Sequence, residues 1–165
     1  MGDFSNGLIV FGAKYLIVFI AGLAFWSFIN QPRDKQKEMV IFGIIILPII
    51  YAVSRIGAAF YYDPRPFVTG HFLPLIPHDP DNGFPSDHTL LSSAIAMVVF
   101  YYNRRGGWGL LFLAFLVGLA RVLAGVHHVI DVAGSVAIAT VVSFLVYKFL
   151  LPGIINSGYC KKWRT

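Results

Sequence analysis

The chain has 165 residues, of which 57% are hydrophobic and 13% charged, whereas an average soluble domain has about 25% charged residues. This excludes intrinsic disorder, which needs low hydrophobicity, and argues against a soluble globular domain. The net charge of +5, from 13 basic and 8 acidic residues, fits a membrane surface better than nucleic acid because charges are so sparse. The length suits one domain over residues 1–165. The single cysteine, Cys160, excludes an internal disulfide framework and a cysteine-based zinc site.

In chain order, apolar runs cover residues 8–29, 39–59, 87–102, 108–123 and 129–151. A bilayer core of about 30 Å needs about 20 helical residues, and the first, second and fifth runs meet that. The third and fourth reach only about 24 Å at the helical rise, so they are placed centrally, shielded by the longer three. The prediction is all-α: a polytopic membrane bundle of about five transmembrane helices, with a long loop between the second and third. The first run reads as a membrane helix rather than a signal peptide, having no basic n-region and no small-residue cleavage site.

Polar connections are expected at residues 30–38 and as a tight basic turn at 103–107. Residues 63–85 form the one long loop, rich in proline and carrying His71, His78, Asp79 and Asp81. Loops of that length are usually functional or disordered. Five helices put Arg33, Lys35, Lys37, Arg104, Arg105, Lys161, Lys162 and Arg164 on one side. The positive-inside rule makes that side cytoplasmic and turns the long loop outward. Trp26, Trp108 and Trp163 fall near the cytoplasmic ends, as interface anchors do. All five histidines (His71, His78, His88, His127 and His128) gather at or near the outer side. Ionisable residues at membrane depth are a functional hypothesis by default.

Three clusters carry chemistry. Arg65-Pro66 follows the second run, and a guanidinium offers paired donors to a phosphate; a snorkelling arginine at a helix stop is the bland alternative. Pro85-Ser86-Asp87-His88 opens the third run. Ser86 suits an N-cap and Asp87 a first turn, but capping leaves His88 unexplained. A helix N-terminus binds anions, and His88 there could give or take a proton. In the third cluster, Arg121 precedes His127 and Asp131, which are four apart and share a helix face. The carboxylate can fix one ring nitrogen and leave the other free. His128, three residues from Asp131, could compete for that role, and a buried polar network is the bland reading. Two arginines, two histidines and one carboxylate suit phosphoryl transfer through a covalent phosphohistidine.

At these residues the chain resembles the type 2 phosphatidic acid phosphatase superfamily of membrane lipid phosphatases. Arg65-Pro66 matches the end of its first motif. Pro85, Ser86 and His88 match the second, with Asp87 in place of glycine. Arg121, His127 and Asp131 match the third, with Ala120 in place of serine. The resemblance implies His127 as nucleophile, His88 as general acid and Asp131 as the partner of His127. Arg65, Arg121 and Ser86 would hold the phosphate, with no cofactor and no metal requirement. Family members commonly have six membrane helices, so the first would be missing here. The stretches PRPFV and NGFPSDHT resemble the bacitracin-resistance type of undecaprenyl pyrophosphate phosphatase. That implies a polyprenyl diphosphate substrate recycled on the outer face of a bacterial plasma membrane, in service of the cell wall.

The family's first-motif lysine would fall at Ala58. Arg55, one turn away on nearly the same face, is a candidate substitute in phosphate binding, with pairing to a buried acid or snorkelling as the equal bland alternative, and Lys14 is a second candidate. Phosphatidylglycerophosphate or lipid A phosphatases would use the same motifs. A proton-coupled transporter would instead spread ionisable groups along the bundle. A metal site from His71, His78, Asp79 and Asp81 is disfavoured, because a proline-rich loop is a poor ligand cage; solvated loop residues are expected there.

Overall fold

Residues 2–156 are described by a computed structural model; Cys160, Lys161, Lys162, Trp163 and Arg164 lie outside them. Every element among the described residues is helical, apart from one isolated bridge between Pro64 and Asn82. In chain order the helices are α1 (Gly2–Lys14), α2 (Leu16–Ile29), α3 (Arg33–Phe60), α4 (Pro66–Thr69), α5 (Asp87–Tyr102), α6 (Arg104–Leu123), α7 (Val129–Leu145) and α8 (Leu151–Asn156). A π-helical turn, Val146–Leu150, joins α7 to α8. Pro152 lies four residues after Lys148. A helical proline collides with the carbonyl four residues back, and the widened turn accommodates it.

The first apolar run is not one helix. It breaks at Tyr15, and its two halves are bent by 49°. The halves have different neighbours: α1 packs on α6, while α2 packs on both α5 and α6. Gly12 comes so close to α6 that an added Cβ would stand 2.9 Å from the Ala120 Cβ. Small residues permit this approach, which membrane helices use in place of a hydrophobic drive.

The polar stretch 30–38 is mostly not a loop either. α3 begins at Arg33, right after Pro32, with Asp34 favourably placed in its first turn. Its 28 residues span about 42 Å, so its charged first turns extend past the apolar part. Met39, Phe42, Ile46, Ile50 and Ser54 form its buried stripe, the spacing of one helical face. The basic turn expected at 103–107 shrinks to Asn103 alone, and α6 starts at Arg104. The Asn103 side chain accepts from the Gly106 N–H at 3.0 Å and caps α6.

Three stretches are each long and apolar enough to cross a membrane: α3, α6, and α7 with its continuation to Asn156. The bent α1–α2 pair makes a fourth. α5, with 16 residues, falls short of a full span and is the enclosed centre. Thr89, Leu90, Ser92, Ser93, Ala94, Ala96, Met97 and Val99 are all buried along it, and α2, α3, α6 and α7 surround it. The central position expected for the short third run is therefore found. The fourth run is a 20-residue helix whose Phe112, Phe115, Leu119 and Leu123 are exposed, so α6 is peripheral and faces lipid.

Two apolar clusters fill the bundle. Phe42, Ile46, Ile50, Leu90, Ala139 and Val142 join α3, α5 and α7; Ile20, Met39, Val99, Leu110 and Val117 join α2, α3, α5 and α6. A third, of Ala13, Ile76, Ala120, Ala124 and Val126, lies beside the polar end and supports the loop between α3 and α5. At the opposite end Asn103 Nδ2 donates to Ser27 Oγ at 3.3 Å. This places the α2–α3 and α5–α6 connections together, as the charge reading requires.

Candidate active site

The junction between α6 and α7 sets the key side chain. Gly125 has a φ of +77°, a left-handed conformation that glycine adopts without cost, and the chain turns there to bring His127 inward. His127 is 2% exposed and Asp131 0%. His127 Nδ1 lies 3.2 Å from Asp131 Oδ2. That oxygen also accepts from the His128 backbone N–H at 2.9 Å, so Asp131 caps α7 and orients His127 at once. With Nδ1 protonated toward the carboxylate, Nε2 presents its lone pair.

Two guanidinium groups converge on that nitrogen. Arg65 Nη1 and Arg121 Nη2 each lie 3.3 Å from His127 Nε2, and both arginines are 4% exposed. Arg65 is held from three directions. Its Nε donates to Asp81 Oδ1 at 2.7 Å, Nη1 to the Val126 carbonyl at 2.9 Å, and Nη2 to the Asn82 carbonyl at 3.4 Å. Arg121 Nε is buried with no partner among the described residues, which leaves a donor for an incoming anion. A snorkelling Arg65 is excluded by this burial.

Burial pushes the His127 imidazole below its ordinary value; the Asp131 hydrogen bond opposes this, and the charges of Arg121 and Arg65 reinforce it. The ring is therefore neutral at neutral pH, the state a nitrogen nucleophile requires. His128 does not compete for Asp131. Its Nδ1 pairs with Asp63 Oδ2 at 2.8 Å and ties the start of the long loop to α7.

His88, on the first turn of α5, is half-buried and within electrostatic reach of Arg121, His127 and His78. It has no hydrogen-bond partner among the described residues, so it is available for proton transfer. Ser86 stands at the N-cap position but makes no side-chain capping bond. Its hydroxyl instead accepts from Thr89 Oγ1 at 3.1 Å, and its carbonyl accepts from Ser135 Oγ at 3.0 Å. Ser86 thus locks α5 to α7 and keeps one hydroxyl proton to donate. Arg55 does not join the cluster. It sits on an exposed face of α3, without a hydrogen bond or ion pair among the described residues, and Lys14 is exposed on α1.

The long loop does more than the sequence suggested. Asn82 uses its whole amide. Oδ1 accepts from Asp63 N at 2.9 Å and Phe84 N at 3.0 Å; Nδ2 donates to the Ala58 carbonyl at 3.1 Å and the Tyr61 carbonyl at 3.0 Å. The loop is thereby clamped to the end of α3. Asp81 and His78 are not merely solvated: one holds Arg65, and the other meets the His127 ring edge-on at 6.0 Å between centroids. His71 and Asp79 are exposed, as expected. The four loop residues form no metal-ligand group among the described residues. The group that does form, Asp63, His128 and Asp131, is already engaged in the hydrogen bonds above. The one available signal for Asp81 and Asn82 was their place just before Pro85-Ser86.

A groove of about 590 Å³ opens beside His127 and His128, with walls from Ile9 of α1, Leu123 of α6 and Phe72 and Leu73 of the loop. This mostly apolar groove thus borders the polar cluster at His127.

Residues 56–152 match the PAP2 superfamily. The chain is 38% identical to the undecaprenyl-diphosphatase BcrC of Bacillus subtilis strain 168 over 147 residues, covering 87% of this chain and 74% of that protein. It is 34% identical to a Bacillus licheniformis protein named bacitracin transport permease protein BcrC, covering 86% of this chain and 70% of that one. The fold superposes on a transmembrane PAP2-type phosphatidylglycerolphosphate phosphatase from Bacillus subtilis with a TM-score of 0.59 at 22% identity, covering 94% of this chain and 78% of that one.

Proposed function

The chain is a multi-pass membrane protein of the PAP2 superfamily, and from that premise we propose that it hydrolyses a polyprenyl diphosphate, undecaprenyl diphosphate foremost, to the monophosphate. The observation that carries this reading is the convergence of Arg65 and Arg121 on His127 Nε2, with Asp131 behind the ring. His127 Nε2 attacks the terminal phosphorus. An N–P bond forms and the P–O bond to the lipid phosphate breaks, its electron pair leaving on that oxygen. Arg65 and Arg121 neutralise the charge of the transferring group, with Ser86 as a further donor. His88 protonates the leaving oxygen. Water then attacks the phosphohistidine, His88 takes its proton, and orthophosphate departs.

The undecaprenyl-diphosphatase name of the Bacillus subtilis relative supports the diphosphate, and the apolar groove at His127 supports a lipid substrate. A transporter would need ionisable groups along its length; here they gather at one end. The active end is the outer face of a bacterial plasma membrane, because Arg33, Lys35, Lys37, Arg104 and Arg105 lie at the other end. The test is phosphate release by purified protein from undecaprenyl diphosphate, phosphatidylglycerophosphate and lipid A. The expected result is preference for the diphosphate and no turnover by His127→Ala. Equal or better turnover of the other lipids would overturn the substrate assignment.

A further inference from the structure

The loop between α3 and α5 carries a histidine that the mechanism above leaves unused. His78 meets the His127 ring at an interplanar angle of 79°. Its Nδ1 is buried with no hydrogen-bond partner among the described residues. A buried ring nitrogen without a partner costs free energy that a ligand can recover. The segment holding it is stiff, since Pro77 and Pro80 flank His78-Asp79. It is also anchored, since Asp81 grips Arg65 Nε three residues on. The Arg65 guanidinium is thereby linked to the segment that carries His78.

The two arginines serve the first phosphate. Both reach His127 Nε2 at 3.3 Å, where the transferred phosphoryl group must sit, and Arg65 spends its Nε and part of Nη1 on Asp81 and Val126. His78 stands beside His127, with 6.0 Å between the ring centroids. It is close enough to share the anion's field with Arg65 and Arg121 but does not touch the attacking nitrogen. A diphosphate has a second phosphate one bridging oxygen beyond the first, and both guanidinium groups are directed at the first by their approach to His127 Nε2.

We propose that His78 is the binding residue for the second, lipid-linked phosphate, and that it gives this active site its selectivity for diphosphates over monophosphates. This rests on the diphosphatase reading above. Burial first, then the charges of Arg65, Arg121 and His127, hold the His78 imidazole below its ordinary value, with Asp81 opposing. His78 is thus held toward its neutral form, with one N–H to donate.

The experiment follows hydrolysis of farnesyl diphosphate in detergent by wild-type protein, His78→Ala and His78→Gln. Two inhibitors are titrated against each: methylenediphosphonate, which fills both phosphate positions, and orthophosphate, which fills one. A hydrogen bond to a charged group is worth enough to shift binding by about tenfold. His78→Ala should therefore weaken methylenediphosphonate by about tenfold while leaving orthophosphate within about twofold, and His78→Gln, which retains a donor, should recover part of the loss. Equal weakening of both inhibitors, or of neither, in a variant that melts at the wild-type temperature would overturn the assignment. If His78→Ala fails to fold, His78→Phe, which keeps a ring of similar bulk but no donor, takes its place: weakening of methylenediphosphonate alone supports the assignment, and equal weakening of both inhibitors or of neither rejects it. Wild-type protein that releases no phosphate from farnesyl or undecaprenyl diphosphate rejects the diphosphatase reading itself.

Discussion

As the proposed nucleophile, His127 needs a free lone pair at Nε2, where two guanidinium groups converge, so its chemistry depends on staying neutral. Burial and the arginines disfavour the imidazolium, while Asp131 opposes them, and the net shift is downward. As pH falls, the ring therefore keeps its lone pair below the ordinary histidine value of about 6.5. The acid limb of log kcat/KM against pH should lie below that value. An acid limb at or above it, assigned to His127 by its loss in His127→Gln, would contradict the burial argument. His88 has a different task. A lipid phosphate is a good leaving group, so His88→Ala should slow mainly the hydrolysis of the phosphohistidine, by about 10²–10⁴. Rapid-quench experiments should then reveal accumulated acid-labile phosphoprotein in His88→Ala; none would appear if His88 served only the first step. Arg55 separates sequence from structure at the same scale. One-turn spacing from Ala58 pointed to a phosphate ligand, yet the side chain lies exposed on α3. A surface change is worth about 0.5 kcal/mol or less, so Arg55→Ala should keep kcat/KM within about twofold. A tenfold loss would restore Arg55 to the site.

Among the elements, the loop after α3 governs the site although it has almost no regular structure. Asn82 ties it to the last turn of α3, Asp63 ties it to α7 through His128, and Asp81 ties it to Arg65. Replacing Asn82 with leucine strands two carbonyls and two N–H groups. Unmade bonds of this kind cost about 1–3 kcal/mol each when buried. Asn82→Leu should lower the melting temperature and reduce kcat/KM by about tenfold or more, because Arg65 loses its register against His127. A variant with wild-type melting and activity would show that the clamp is ornamental. The short α5 belongs to this scale too. Its small residues Ser92, Ser93, Ala94 and Ala96 let four helices close on it, and so its N-terminus, with Ser86 and His88, is held against α7.

Across the whole molecule, the chemistry lies at one end and the basic connections at the other. This asymmetry predicts a labelling pattern. Cys160 should react with membrane-impermeant thiol reagents only after cells are opened. In a Cys160→Ser background, Asp79→Cys, on an exposed part of the loop, should react in intact cells. The reverse pattern would turn the active site to the cytoplasm. Exposed Phe112, Phe115, Ile44 and Phe144 around the bundle provide the lipid-facing belt that a membrane protein needs in either orientation.

The sequence by itself determined the class and singled out the candidate residues. Long apolar runs with few charges admit only membrane helices. Arg65, His88, Arg121, His127 and Asp131 stand out because charge in such a chain is costly and so conspicuous. Even the His127–Asp131 pair was legible, because four-residue spacing is a local property of a helix. What only the tertiary structure decided depends on residues far apart in the chain. Whether His127 or His128 faces Asp131 turned on Asp63, 65 positions from His128. Arg65 acquired its bearings from Asp81, Asn82 and Val126, and His78 is partly buried, its ring against that of His127. The break at Tyr15 likewise came from the separate neighbours of α1 and α2. Periodicity reports which face of a segment is apolar; it is silent on which segment that face meets, and in this protein those meetings build the site.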